Sequence, residues 1–351
     1  MKPVLFVTGH APAYRVGALA QLHELEQIEL ALFGGRSKHG GAPASAALPF
    51  PHRQVRQHEL TSLAASGRYR ALVCPTGGRV APLATWAGAR RAGVPLVLWA
   101  SLWAHPRSAF HALSYLPLRA LYRRADAVVT YGPHVSAYVR ARGARNVFVA
   151  PQSVDNDFWR ASPGEPARLP TEASVRFLFV GRAAPEKGLE ILLAAWRAAR
   201  VDASNALVLA GVRSDSAAGV VALGELDPER LRGVYRACDV LVVPSLATRT
   251  FREPWGLVVN EAMNQGLAII ASDAVGAAAG GLVRHEHNGL IVRSGDELGL
   301  AEAIGRLAED APLRERLGAA GAEDVLAYSH RAWAEGFSRA LFSVGVSRVR
   351  W

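Results

Sequence analysis

The chain reads as an α/β protein of two doubly wound domains, and three observations predict this. Short apolar, β-branched runs alternate with helical patterns, as parallel sheets flanked by helices require. The 351 residues are long for one core and suit two domains of about 150–180 residues each. The alternation stops once, at a polar stretch over 156–173 (NDFWRASPGEPARLPTEA) with no periodicity and three prolines. It then restarts, so this stretch is expected to be a linker.

In the first half, strands are expected at 3–8 (PVLFVT), 28–33 (IELALF), 71–74 (ALVC), 94–99 (VPLVLW), 126–131 (DAVVTY) and 146–150 (NVFVA). Helical spacing falls near 15–26, 79–92, 108–124 and 134–142. The opening MKPVLFVTGH imitates a signal peptide for a few residues, but its apolar part ends at His10 and Arg15 and reads better as a first strand. In the second half, strands are expected at 175–180, 206–210, 220–223, 239–243, 267–271 and 290–292. Helices follow near 186–200, 228–236, 256–265, 296–309 and 312–327. A last helix, 330–342, carries Trp333, Phe337 and Leu341 on one face. The organisation expected is 1–155, a linker over 156–173, a second domain over 174–328, and a final helix, 329–351, packing back on the first domain. In such sheets ligands bind at the carboxyl ends of strands, here facing a cleft.

Composition narrows the function. Half the residues are hydrophobic, which excludes disorder. Cys74 and Cys238, the two cysteines, make neither a disulfide framework nor a zinc site, and read as buried thiols of a reducing, cytoplasmic compartment. The longest apolar run, 93–104, falls short of the ~18–20 residues needed to span a bilayer. Residues 1–160 hold 19 Lys+Arg against 7 Asp+Glu, although the whole chain is only +10. A basic first half suits an anionic partner. Three lysines (Lys2, Lys38, Lys187) stand against 37 arginines, which draws notice to Lys187 in its glycine-flanked loop.

Two loops carry the chemistry. Strand 175–180 runs into Gly181-Arg182-Ala183-Ala184-Pro185-Glu186-Lys187-Gly188. Gly181 allows a sharp turn, and two cations at a strand-to-helix junction suit a diphosphate. The spacing is neither a Walker loop nor GxGxxG. The second loop is EPWGLVVNEAM at 253–263. A helix starting near Gly256 leaves the amides of 256–258 to face an anion. Glu261, negative, is a poor phosphate ligand but a good acceptor for two adjacent hydroxyls, such as a ribose diol. Glu253, before the turn, can hold hydroxyls of a second sugar. On these residues alone, charges solvated at a helix end are an equal reading.

Taken together, FLFVGRAAPEKGLEILLAAW, LVLAG, VALGELDPERLRGVYRACDVLVVPS, REPWGLVVNEAMNQGLAIIASDAVGA and HNGLIVRSGD resemble, in order and spacing over roughly 175–300, the retaining glycosyltransferases of family 4 (glycosyl transferases group 1), with the GT-B fold. The resemblance implies that Arg182 and Lys187, next to Gly181, bind the donor diphosphate and that Glu253 contacts the transferred sugar. It implies that Pro254, Trp255, Gly256, Leu257 and Val258 support sugar and phosphate and that Glu261 holds the ribose. The Gly224-Glu225-Leu226 loop would touch the base through its backbone. In the first half, HAPAYRVGALAQL resembles the acceptor-side loop and helix, with Tyr14 and Arg15 in place and Gly9 or Gly17 as the glycine near the phosphate. His105 resembles the family's histidine near the donor sugar. Gln152 stands where the family's crossover has Asn, and Gly281 where an acidic residue is common.

The activity implied is transfer of a sugar from a nucleoside-diphosphate sugar to a hydroxyl, with retention and with no metal or cofactor. The acceptor is expected to be a glycan, a lipid-linked glycan or a small molecule, in envelope polysaccharide, glycolipid or secondary-metabolite glycosylation. Segment 108–124 places Phe110, Leu113, Leu116 and Leu121 beside Arg119, Arg123 and Arg124. It reads either as an interfacial helix on the inner face of an anionic membrane or as a core-facing helix with a solvated end. The rivals are a sugar-nucleotide epimerase, a phosphorylase, for which too few lysines remain, and an inactive sugar-nucleotide-binding module. A nucleic-acid binder lacks its motifs.

Overall fold

The computed structural model describes residues 1–34, 48–162, 166–213 and 218–351. Lys38, Pro163 and the side chain of Phe110 lie outside the described residues. The chain forms two compact units: Met1–Asp155 with Ser329–Trp351, and Asn156–Tyr328.

The first unit runs β1 (Val4–Thr8), α1 (Ala13–Glu26), β2 (Ile28–Leu32), β3 (His52–Gln54), α2 (Leu60–Ala64), β4 (Ala71–Pro75), α3 (Ala81–Ala92), β5 (Leu96–Ala100), α4 (Ala109–Arg124), β6 (Ala127–Thr130), α5 (Pro133–Arg140) and β7 (Val147–Val149). The second runs α6 (Asn156–Arg160), β8 (Val175–Val180), α7 (Leu189–Ala199), β9 (Asn205–Ala210), β10 (Val220–Gly224), α8 (Pro228–Arg236), β11 (Val240–Val243), α9 (Leu257–Asn264), β12 (Ala268–Ser272), α10 (Gly276–Ala279), β13 (Gly289–Val292), α11 (Glu297–Glu309) and α12 (Ala311–Asp324). Helix α13 (His330–Ser343) belongs to the first unit.

Among the described residues the two sheets have seven strands, in the order β3-β2-β1-β4-β5-β6-β7, and six, in the order β10-β9-β8-β11-β12-β13. All strand pairings among the described residues are parallel. Central strands such as β1 (VLFVT) and β12 (AIIAS) are buried at every position, because helices cover both faces. Edge strands are wetter: β3 (HRQ) exposes two of three residues. Its polar sequence carries no apolar alternation, so the sequence gives no sign of it. In each sheet the strand order reverses once, between β1 and β4 and between β8 and β11. Doubly wound sheets open their ligand crevices at such points.

Several sequence expectations shift locally. Helix α7 starts at Leu189, not 186. Residues Pro185–Lys187 form a 3-10 turn, and Gly188 follows at φ +72°. A Cβ there would lie 2.1 Å from the Pro244 carbonyl oxygen, so the turn packs against the end of β11 through a glycine. Residues 156–173 begin with α6, whose Trp159 is buried. They count with the second unit.

Helix α13 completes the first unit's core. Trp333, Phe337 and Leu341 are fully buried, and the Trp333 and Phe337 rings lie 6.2 and 5.4 Å from Phe6. The segment after α13 is tied by Glu26, fully buried. Its carboxylate accepts from Arg70 Nη2 at 2.6 Å, Ser347 Oγ at 2.6 Å, the Arg348 amide at 3.0 Å, and Ser338 Oγ. Arg70 also donates to the Val346 carbonyl at 2.6 Å. A buried carboxylate with this many donors is stable where a lone one is not.

Gly276 opens α10 with no room for a side chain. An added Cβ would meet the Pro254 oxygen at 2.0 Å and Trp255 Cα at 2.8 Å. Gly276→Ala should lower stability by about 1–3 kcal/mol, as overpacking does. The check is a urea midpoint that falls at constant slope; an unmoved midpoint would mean that the 253–256 turn yields without cost.

Candidate functional site

In the second unit the reversal lies between β8 and β11, and the two predicted loops leave those two strands. Gly181 follows β8. Lys187 closes the 3-10 turn, and its stem folds back so that a Cβ on Gly181 would touch Lys187 Cδ at 4.0 Å. From the other loop comes Glu253. Lys187 Nζ and Glu253 Oε2 lie 2.5 Å apart, with 23% and 6% of their side chains exposed. Ser245 Oγ, buried just after β11, donates to the same carboxylate oxygen at 3.4 Å. The sequence reading gave these residues separate partners, diphosphate and sugar. The structure pairs them directly across the reversal. Arg182, in the same loop, is exposed and makes no ion pair with any described residue.

The 253–256 turn is held from the third strand. Glu253 bridges Val275, the Gly276 amide donates to the Glu253 carbonyl at 3.0 Å, and the Ala277 amide donates to the Trp255 carbonyl at 2.8 Å. Trp255 is buried, and its indole N–H donates to Asn260 Oδ1 at 2.8 Å. Its side chain therefore braces the helix start, and its backbone faces the turn. Gly256 sits at φ +91° before α9, with no side-chain cap. The first amides of α9, at Leu257 and Val258, are donors the helix itself cannot satisfy.

Glu261, on α9, accepts from the Tyr235 hydroxyl of α8 at 2.8 Å. Burial pushes its carboxyl up to about 7, against the opposing pull of the Tyr235 hydrogen bond. Burial and the neighbouring Glu261 charge push the Tyr235 phenol well up. Sequence reasoning missed Tyr235 and Ser245. Both fall in the segment VALGELDPERLRGVYRACDVLVVPS, at positions to which the sequence assigns no role.

At the carboxyl ends of β9 and β10, Gly211 and Gly224 sit at φ +86° and +70°. The Gly211 amide donates to the Gly224 carbonyl at 2.7 Å. A hollow of about 320 Å³ opens here, lined by Arg213, Ala222, Leu223, Gly224 and Glu225. Glu225 is exposed and Leu226 half-buried. Asp227 accepts from the Arg230 amide at 2.8 Å and caps α8. Gly281 takes φ +87° in a turn with no atom near its missing Cβ, which accounts for glycine where an acidic residue was the expectation.

The first unit's residues behave differently. Arg15 is buried. Its Nη2 donates to Gln152 Oε1, and its guanidinium lies 5.3, 5.7 and 5.2 Å from the ring centroids of Tyr14, Trp99 and Trp333. It is stacked inside the unit, and Tyr14, 37% exposed, is the outward member. Gly9 carries a backbone bond, accepting from the Gly34 amide at 3.0 Å. Gly17 makes room for α13, since a Cβ there would fall 2.5 Å from His330 Nδ1. His105 uses both ring nitrogens. Nε2 lies 2.8 Å from the His111 carbonyl, to which it can only donate, and Nδ1 lies 3.2 Å from the Tyr138 hydroxyl. Here it tethers the loop after β5 to α4 and α5.

Both thiols are buried, and burial pushes each up to about 12, so neither is a ready nucleophile. Among the described residues no three His, Cys, Asp or Glu side chains gather into a metal-holding group. No helix among them is long and apolar enough to cross a membrane.

Residues 174–310, which contain all these second-unit groups, match the family model described as Glycosyl transferases group 1. The D-inositol 3-phosphate glycosyltransferase of Stackebrandtia nassauensis is 36% identical over 220 residues, 53% of this chain and 46% of that protein. The lipopolysaccharide core biosynthesis glycosyltransferase LpsD of Rhizobium meliloti is 31% identical over 243 residues, 65% of this chain and 66% of its own. The chain spans about half the length of the inositol-phosphate glycosyltransferases it matches. Among solved structures, Anabaena HepE in complex with UDP aligns with a TM-score of 0.75 at 18% identity, over 97% of this chain and 100% of that one. The likeness gives the fold: two Rossmann-like units of the GT-B class.

Proposed function

We propose that the protein is a glycosyltransferase that moves a sugar from a nucleoside-diphosphate sugar to a hydroxyl acceptor, with retention at the anomeric carbon. The observation that carries the reading is the Lys187–Glu253 pair across the β8/β11 reversal, with Arg182 in the same loop. The family match over 174–310 and the transferase names of the relatives support it. UDP bound to the Anabaena neighbour makes UDP-sugars the first donors to try.

In this reading Arg182 and Lys187 neutralise the donor diphosphate, Glu253 holds sugar hydroxyls, and Glu261 grips the ribose diol. The Glu225–Leu226 loop and its hollow take the base. The direct pairing is consistent with these roles, because a diphosphate and a sugar seated there would share the two charges between them. Chemistry proceeds on one face. The bond from the anomeric carbon to the diphosphate oxygen breaks, the acceptor oxygen bonds to that carbon on the same side, and its proton passes to the departing oxygen. The cations stabilise the charge building there, so the scheme needs no metal. The acceptor is a glycan, lipid-linked or small-molecule hydroxyl; a lipid-linked one would bring the reaction to the inner face of a membrane.

Arg182→Ala should lower kcat/KM by ~10²–10³, the usual loss for a preorganised charge partner, with little change in Tm because the side chain is exposed. Lys187→Ala should lose as much activity and also stability, since it strands a buried carboxylate. Glu253→Gln should restore much of that stability in the Lys187→Ala background and none of the activity. Thermal shifts with UDP-, GDP-, ADP- and dTDP-sugars identify the donor, and a drop below threefold for Arg182→Ala overturns the assignment. EDTA should leave the rate unchanged. Products formed from donor alone would instead indicate an epimerase.

The Glu261 carboxyl gives a pH test. Its folded value, near 7, lies above the ordinary 4.5, so the native state binds the extra proton between those values. The stability it contributes is therefore complete below about pH 4.5 and lost as pH rises through 7. Glu261→Gln should flatten the fall in Tm between pH 5 and 8 relative to wild type. An ionised carboxylate accepts a ribose diol best, so donor affinity should rise over the same range in wild type and not in the variant. Parallel Tm curves for the two proteins would refute the proton assignment.

A further inference from the structure

We propose that the carboxyl-terminal half of α4 is a headgroup site for an anionic phospholipid bilayer. The inference concerns the first unit alone and does not rest on the donor reading.

Helix α4 is amphipathic in an unusual sense. Its buried side, Leu121 and Tyr122, belongs to the core, so Leu121 is not part of an interfacial face. The opposite side keeps two leucines in solvent: Leu113 is 80% exposed and Leu116 68%. One to two turns further along lie Arg119, Arg123 and Arg124, all exposed. Spacings of three and four place Leu113, Leu116, Arg119 and Arg123 along one stripe. Arg145, just before β7, joins them around a hollow of about 390 Å³ whose wall also includes Leu116 and Ala120.

Four guanidiniums thus share one cavity, and none of them makes an ion pair with a described carboxylate. Arg123 is pre-placed: its stem lies over Gly143, where a Cβ would come within 2.5 Å of Arg123 Cγ. An acid beside this group is Asp126, two positions from Arg124 in the chain. It lines a neighbouring hollow of about 240 Å³ with Arg90 and Arg124, and its Oδ2 is engaged by the Leu96 amide at 2.8 Å. Clustered like charges repel, and an anion in the hollow relieves that repulsion through charge-assisted, forked hydrogen bonds. A soluble anion explains the arginines but not the leucines beside them. A bilayer explains both: leucines enter the acyl boundary while guanidiniums sit at the phosphates. The cavity adds a seat for one phosphate group beyond diffuse attraction.

The test is sedimentation of the full chain with vesicles. Binding is expected to vesicles of phosphatidylcholine with a quarter phosphatidylglycerol, and to be weak with phosphatidylcholine alone. Arg119→Glu/Arg123→Glu should weaken it at least tenfold. Leu113→Ser/Leu116→Ser should weaken it at least threefold and make the remainder more salt-sensitive. Both variants change exposed side chains, so each should keep the wild-type Tm. No sedimentation of wild type at low salt, or wild-type binding by either variant, overturns the proposal. So does loss of vesicle binding to a few millimolar inorganic phosphate at constant ionic strength, which would make this a soluble-phosphate site. Tighter binding to an oligonucleotide than to vesicles, abolished by the same arginine substitutions, would also overturn it.

Discussion

The Lys187–Glu253 ion pair is the contact on which the second unit's working edge depends. It joins two loops leaving adjacent strands that run to opposite sides of the sheet, the one place where a doubly wound sheet opens. Almost every neighbouring irregularity serves it. Gly188 lets the 3-10 turn lie against Pro244, which brings the lysine inward. Gly276 lets the Pro254 carbonyl approach α10, which fixes the height of the glutamate. Ser245 supplies a second donor. A half-buried charge pair gains little net stability by itself. What it gains here is position: two opposite charges held at fixed separation across the reversal.

The first unit solves a related problem by different means. It buries a cation, Arg15 of α1, with an amide and three rings for company. Aromatic faces compensate part of a guanidinium's desolvation. Two of those rings, Trp99 and Trp333, come from β5 and α13, so the helix after Ser329 is built into the environment of α1. Gly17 and His330 interlock at the same place. The sequence motif around Tyr14 and Arg15 thus encodes packing as well as exposure.

How much of this could be read from residues alone varies with the kind of signal. The two sheets were legible because β-branched runs of five or six residues recur with helical spacing between them. The loops GRAAPEKG and EPWG were legible because glycine, proline and charge coincide at strand ends. Their direct contact was not, because Lys187 and Glu253 lie 66 positions apart and nothing local couples them. Tyr235 and Ser245 escaped notice for the same reason: their role is to hold another side chain. Short polar or glycine-rich elements, β3 and α10, have no periodicity to detect. On α4 the sequence pattern mixed Leu121 with Leu113 and Leu116, and only the fold separates the core-facing residue from the exposed ones.

The scarcity of lysine has a practical consequence. With three lysines in the chain, amine chemistry addresses very few places, and one of them is the ammonium held against Glu253. Isotope-labelled reductive methylation would give a spectrum of a handful of lines. The Lys187 line should stand apart, restricted in motion by its buried partner, and should shift when a ligand enters between the two charges. The arginine-rich composition that hides most cations from such reagents thereby leaves the protein with a nearly unique built-in reporter at its most informative position.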